Sequence, residues 1–187
     1  MVKRVTVIGP SHVGKTSIIL QHTKKMFTDT YMSTMFSDVF EDSNNNIIWD
    51  TAGNSRWLTS SKDTIKKSKG LIVCFCPNKP DTFDQAMKLL EYALEDIPCI
   101  FAATKSDIKP FAIRPEWSRI ANSKGAKIIR TSALTGEGIP KLFEEIFSKI
   151  ESDKIVLGSV EYAKQQIGSC IYSGVNNYIY GLDTDAQ

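Results

Sequence analysis

The sequence predicts a three-layer α/β/α sandwich on a mostly parallel six-stranded sheet with one antiparallel hairpin strand. Three observations carry this. Short apolar runs alternate with segments of helical periodicity up to about residue 150. Leu71-Ile72-Val73-Cys74-Phe75-Cys76 is apolar throughout, the pattern of a strand buried on both faces of a sheet. The turn-rich Asp42-Ser43-Asn44-Asn45 separates two short strand-like segments, which reads as an antiparallel hairpin.

The elements follow in order. Residues 4–8 form a strand, and 16–25 a helix that begins right after a Gly-rich turn. Residues 36–41 and 46–49 are the hairpin strands, and 58–69 a helix of weaker signal. After the 71–76 strand, Asp81 caps a helix in which Phe83, Ala86, Met87, Leu90 and Leu94 share one face. Residues 98–103 form a further apolar strand. Pro115 opens a helix that Gly125 ends, the usual Pro-first, Gly-last asymmetry. A short strand over 127–129 precedes a last helix opened by Pro140, with Leu142, Phe143, Ile146, Phe147 and Ile150 on one face. Strands alternating with helices imply right-handed crossovers and a ligand site at the carboxyl ends of the strands. Residues 151–187 show no sustained periodicity beyond a short helix around 160–167, and read as a tail or linker.

The chain has 187 residues, 42% of them hydrophobic and 24% charged, with a formal net charge of +2. That composition supports a globular core and argues against a nucleic-acid partner, for which a clustered basic excess is expected. No run reaches the ~18 apolar residues of a membrane span. The opening Met1-Val2-Lys3-Arg4 runs into a strand too soon for a signal peptide. Cys74, Cys76, Cys99 and Cys170 are irregularly spaced and read as thiols, those of the 71–76 strand buried; His12 and His22 are not placed to complete a zinc site. Together these readings give a reducing, cytoplasmic location, with membrane contact only peripheral and through partners.

Gly9-Pro10-Ser11-His12-Val13-Gly14-Lys15-Thr16 matches G-x-x-x-x-G-K-[ST] between a strand and a helix, the signature of a P-loop NTPase. Glycines let successive N–H groups of residues 11–17 (Ser11, His12, Val13, Gly14, Lys15, Thr16 and Ser17) turn inward on phosphate oxygens. Lys15 reaches the β- and γ-phosphates, and Thr16 offers a hydroxyl to Mg²⁺. His12, bulky for such a loop, points outward. Trp49-Asp50-Thr51-Ala52-Gly53 follows Ile47-Ile48, with Asp50 placed 35 residues after Lys15. A carboxylate there can hold Mg²⁺, and Gly53 leaves its N–H room to approach a γ-phosphate.

With these motifs, residues 1–150 resemble the G domain of the Ras-like small GTPases, and Trp-Asp-Thr-Ala-Gly most resembles the Rab branch. The resemblance implies a switch that binds GTP and GDP with Mg²⁺ and meets effectors, an exchange factor and a GTPase-activating protein. It places Phe27 beside the guanine base, Tyr31 over the phosphates, and Thr34 on Mg²⁺ and the γ-phosphate. In Thr104-Lys105-Ser106-Asp107, Asp107 accepts from the N1–H and 2-amino edge of guanine while the Lys105 stem lies against the base. Ser132, Ala133 and Leu134 stand where backbone groups meet the base oxygen. Trp49 with Phe36 or Phe40 supplies either an effector-facing aromatic patch or core packing.

Several positions depart from the family pattern. Thr104 replaces Asn, and Leu134 replaces Lys, both weakening base binding. Asn54 stands where the family carries Gln to orient the attacking water, and Ser55 where it carries Glu, so slow hydrolysis is expected. The interval from Thr34 to Asp50 is short. The end, Gly181-Leu182-Asp183-Thr184-Asp185-Ala186-Gln187, carries no prenylation cysteine: either no prenyl anchor is used or the chain is part of something longer. Two alternatives stay open: a pseudo-GTPase interaction module that binds nucleotide weakly or not at all, and a P-loop enzyme acting on ATP or a small substrate.

Overall fold

The computed structural model describes residues 2–29, 34, 37–53 and 58–150. Its elements are β1 (Arg4–Ile8), α1 (Lys15–Lys24), β2 (Asp38–Glu41), β3 (Ile47–Asp50), α2 (Leu58–Lys66), β4 (Leu71–Phe75), α3 (Asp81–Leu90), β5 (Cys99–Ala103), α4 (Pro115–Ser123), β6 (Ile128–Arg130) and α5 (Ile139–Lys149). They form one six-stranded sheet in the order β2-β3-β1-β4-β5-β6. Only β2 runs antiparallel, with Asp38 opposite Asp50 and Glu41 opposite Ile47. The expected mostly parallel sheet with one hairpin strand is therefore what forms.

The two faces of β4 show why its sequence is apolar throughout. Ile72 and Cys74 join Val5, Val7, Ile48, Ile100 and Ala102 in a core closed by Ile18 and Ile19 of α1 and by Leu142, Phe143 and Ile146 of α5. Leu71, Val73 and Phe75 join Ile8, Phe101 and Ala103 on the other side, under Ile65 of α2, Phe83 and Ala86 of α3, and Trp117 and Ala121 of α4. Phe83 and Trp117 stack with centroids 5.2 Å apart, and Phe75 meets both edge-on. Each such aromatic contributes roughly 1.5–3 kcal/mol through burial alone. Cys74, Cys76 and Cys99 are buried thiols; burial pushes the Cys74 thiol up to about 12, which leaves it unreactive.

Boundaries differ from the periodicity in instructive places. Helix α3 ends at Leu90 rather than reaching Leu94, which is 61% exposed. The N–H groups of Tyr92 and Ala93 bond three residues back, to Leu89 and Leu90, and close the helix in a tight turn. Asp81 does not cap α3: it is the first helical residue, after Pro80, and accepts from Gln85 Nε2 at 2.9 Å. Its charge still complements the helix's positive end. Strand β3 starts one residue later than expected, because Asn46 is held by Asp42, which accepts from its backbone N–H at 2.9 Å and its Nδ2 at 3.0 Å. Helix α2 stops at Lys66 instead of 69 because Ser68 turns inward, its Oγ donating to Thr6 Oγ1 at 2.5 Å. Strand β6 is shifted one residue from 127–129. Residues 151–187, with their short helix, and Phe36 of the aromatic patch lie outside the described residues. Phe40 packs on the α1/α5 side of the sheet, and Trp49 is half-buried. Among the described residues no helix is long and apolar enough to cross a membrane.

One polar contact ties the hairpin to the helices. His22, in the last turn of α1, stacks on Phe143 of α5 with centroids 3.8 Å and planes 14° apart. Its Nε2 lies 3.4 Å from Asp42 Oδ2 in the hairpin turn. Burial lowers the His22 pKa, against the opposing pull of the Asp42 hydrogen bond. The folded protein thus holds His22 neutral more strongly than the unfolded chain does. This contribution to stability is complete above the unfolded value, about 6.5, and is lost progressively as pH falls from there through the lower folded value. We expect the Tm of the wild type to fall more between about pH 7.5 and pH 5.5 than that of His22→Gln, measured by thermal denaturation. Equal pH slopes would contradict this.

Candidate functional site

Strand β1 ends at Ile8, and the loop that follows is shaped by two glycines. Gly9 has φ +148°, and a Cβ there would come within 2.3 Å of the Cys74 carbonyl oxygen of β4. Gly14, at φ +94°, precedes α1 without a side-chain cap. The first N–H groups of α1 are therefore left for a ligand at the helix's positive end. Val13 is 1% exposed and anchors the loop in the core beneath it. Ser11 and Ser17 are half-buried, and His12 is exposed with φ +66°. A side chain in that left-handed conformation costs about 1–2 kcal/mol.

Lys15 is 6% exposed, and its Nζ donates to the Pro10 carbonyl at 3.0 Å. Burial lowers its pKa, partly offset by the Asp50 carboxylate. Thr16 Oγ1 donates to Asp50 Oδ2 at 2.5 Å. Thr34 Oγ1 lies 3.3 Å from both Thr16 Oγ1 and Asp50 Oδ2. The other Asp50 oxygen, Oδ1, is buried with no hydrogen-bond partner among the described residues. Burial pushes the Asp50 pKa up to about 6, against the pull of Lys15 and Thr16. A buried carboxylate oxygen with no partner is costly. Two hydroxyls and this carboxylate make a hard-oxygen set suited to Mg²⁺, so the residues present fit that ion.

Just beyond β3, Thr51 donates its backbone N–H and its hydroxyl to the Val7 carbonyl, at 3.3 and 2.8 Å. This fixes the turn into Gly53, where a Cβ would meet Lys15 Nζ at 2.5 Å and Ser11 N at 2.6 Å. Only glycine fits so close to the phosphate-type loop. Tyr31, Asn54 and Ser55 lie outside the described residues.

The second half of the site lies at the ends of β5 and β6. These strands run parallel to β1 through β4, so their carboxyl ends share one edge of the sheet with the Lys15 loop. Thr104 is 1% exposed; its Oγ1 and backbone N–H both donate to the Phe75 carbonyl, each at 2.9 Å. Lys105 has φ +59°. Asp107 is exposed, and its Oδ1 accepts from Ser132 Oγ. Ser132 and Ala133 are buried, whereas Leu134 is 56% exposed. Phe27, after α1, is 38% exposed.

Two further contacts went unread in the sequence. Ser106 Oγ donates to Glu137 Oε2 at 2.8 Å. Gln21 of α1 sits under Gly136, where an added Cβ would come within 3.3 Å of its Nε2. Neither residue type nor spacing flags them, because both pairs join segments remote in sequence.

Comparison with known proteins bears on this arrangement. The sequence profile of the Ras family matches residues 4–152. The chain is similar to the GTP-binding protein ypt1 of Schizosaccharomyces pombe, 24% identical over 187 aligned residues that cover 91% of this chain and 89% of that protein. It is similar to the Ras-related protein Rab2BV of Beta vulgaris, 28% identical over 160 residues covering 79% and 75%. With the Ras-related protein Rab-7L1 of Rattus norvegicus it shares 27% identity over 139 residues, covering 65% and 68%. Fold, loop motif and profile agree: this chain belongs to the Ras family of small GTPases, and its distant relatives are mostly Rab proteins.

Proposed function

We propose that the protein is a Rab-like guanine-nucleotide switch that binds GTP and GDP with Mg²⁺, hydrolyses GTP slowly, and acts in vesicle trafficking or signalling through effectors, an exchange factor and a GTPase-activating protein. The observation that carries this reading is Asp50 Oδ1, which has no hydrogen-bond partner among the described residues and is buried beside the hydroxyls of Thr16 and Thr34 and next to Lys15. Thr16, Thr34 and Asp50 would hold Mg²⁺, which neutralises phosphate charge when bound. Residues 11–17 bind phosphates through backbone N–H groups, and Lys15 adds its ammonium. Gly53 lets backbone approach the γ-phosphate end, with Tyr31 closing over it. Asp107 selects guanine, because adenine leaves its carboxylate without donors. Lys105, Phe27, Thr104, Ser132, Ala133 and Leu134 surround the base.

The test is to release nucleotide from purified protein and identify it by chromatography, alongside Lys15→Ala. Guanine nucleotide in the wild type alone supports the reading. Adenine nucleotide points instead to an ATP enzyme, and empty wild-type protein to an interaction module.

Thr104 offers a finer test. Its one hydroxyl proton is used on Phe75, whereas an Asn side chain has two amide protons and longer reach. In Thr104→Asn we expect GDP to dissociate about 3- to 10-fold more slowly, the worth of roughly one net hydrogen bond. Stopped-flow release of a fluorescent GDP would show it; an unchanged or faster rate would refute it.

A further inference from the structure

We propose that Glu137 is a positioning residue for base recognition, holding the 104–107 loop to the 131–138 loop through Ser106 and thereby setting the direction of the Asp107 carboxylate. The inference rests on the reading of Asp107 as the guanine-selecting group.

Ser106 is 2% exposed, and its only hydroxyl proton goes to Glu137 Oε2 at 2.8 Å. Its backbone N–H donates to the Thr131 carbonyl at 3.0 Å. Glu137 grips the second loop as well, its carbonyl accepting from Ser132 N–H at 3.0 Å. Ser132 in turn donates its hydroxyl to Asp107 Oδ1. Glu137 thus fixes both flanks of the carboxylate: Ser106, the residue before it in the chain, and Ser132, its hydrogen-bond partner. The bond to Ser106 has an ionised acceptor, which makes it stronger than a neutral pair.

Thr104 explains why this chain needs such a tie. Its hydroxyl is committed to the end of β4, so it has no proton left to fasten the base loop to the Lys15 loop. The 131–138 loop then becomes the fastening. Glu137 is itself exposed, and from the sequence alone it reads as an ordinary surface charge.

Guanine and hypoxanthine share the N1–H edge, but only guanine has a 2-amino group. A carboxylate aimed to accept from both groups prefers GDP to IDP; one that swings away loses that preference. The experiment measures GDP and IDP dissociation constants, with Mg²⁺, for wild type, Glu137→Ala, Glu137→Gln, Ser106→Ala and the Ser106→Ala/Glu137→Ala double variant. We expect the wild type to prefer GDP and each alanine variant to shrink that preference at least threefold. The double variant should lose no more than either single one, because one shared bond is removed. Glu137→Gln keeps an oxygen acceptor and should keep the wild-type ratio. A merely structural role would weaken GDP and IDP alike and leave the ratio unchanged, which overturns the proposal; so does additivity in the double variant. If Ser106→Ala fails to fold, the ratio in Glu137→Ala alone decides, since that side chain is at the surface. Wild-type protein that binds GDP while the variants keep its ratio sinks the positioning role alone. Wild-type protein that binds neither nucleotide sinks the guanine reading and this inference together.

Discussion

Lys15→Ala protein is expected to emerge from purification without nucleotide, with GDP affinity lowered on the order of 100-fold or more. Lys15 is 6% exposed, and its ammonium donates to the Pro10 carbonyl, with Asp50 as its counter-charge. Burial works against its charged form, so the site maintains a cation at a cost that an anionic ligand offsets. Losing a hydrogen bond to a charged group costs about 1.5–3 kcal/mol, and about 1.4 kcal/mol is tenfold in affinity. The alanine variant also leaves Asp50 without its positive neighbour, so phosphate meets uncompensated negative charge. The fold should survive, because removing the lysine removes a buried charge and leaves the Ile18 and Ile19 core contacts in place. Two measurements check this. Calorimetric titration gives the affinity loss. Thermal melting should show Mg²⁺–GDP raising the Tm of the wild type but not of the variant, since a ligand stabilises only the state it binds. GDP affinity within threefold of wild type would remove Lys15 from the site.

How much of this was legible beforehand depended on how local each signal was. The bounds of β1 were read directly from the short Val-rich segment Arg4–Ile8 ahead of Gly9, and those of β4, an unbroken apolar run, fell within one residue. The Lys15 loop was equally readable, because its chemistry sits in eight consecutive residues. The end of α3 was not: periodicity extends to Leu94, but local turn bonds at Tyr92 and Ala93 overrule it. The start of β3 depended on Asp42, whose carboxylate takes Asn46 out of the strand. Side-chain partners decide such boundaries, and hydrophobic pattern does not record them.

The site divides in the same way. Thr16 and Asp50 are 34 residues apart and were proposed for one metal by motif; in the structure Thr16 Oγ1 donates to Asp50 Oδ2 at 2.5 Å. Asp107 and Ser132 were joined only by resemblance to a family. The Asp50 oxygen without a partner among the described residues could not be read at all, since such an atom is defined only once its surroundings are packed. The Ser106–Glu137 bond spans 31 residues between two ordinary polar side chains, and no composition or spacing rule singles it out. Thr104 illustrates the intermediate case: its departure from Asn was visible in the sequence, but the destination of its hydroxyl, the Phe75 carbonyl, was not.

Asn54→Gln is expected to hydrolyse bound GTP on the order of 10- to 100-fold faster than the wild type in single-turnover assays. Residue 54 follows Gly53 directly, and Gly53 sits against Lys15 and Ser11, where no side chain fits. The backbone is thereby brought close to the phosphate-type loop, and in the proposed switch residue 54 is the one assigned to orient the attacking water. Phosphoryl transfer depends on placing that water in line, with little covalent work for the protein to do. Asn and Gln carry the same amide, so the substitution changes reach by one methylene and leaves the chemistry alone. Misplacing a positioning group by about 1 Å costs on the order of 100-fold, and restoring the longer arm should recover much of it. An unchanged rate in Asn54→Gln would mean that another group orients the water. An ordinary small-GTPase rate in the wild type would mean that Asn54 reaches after all.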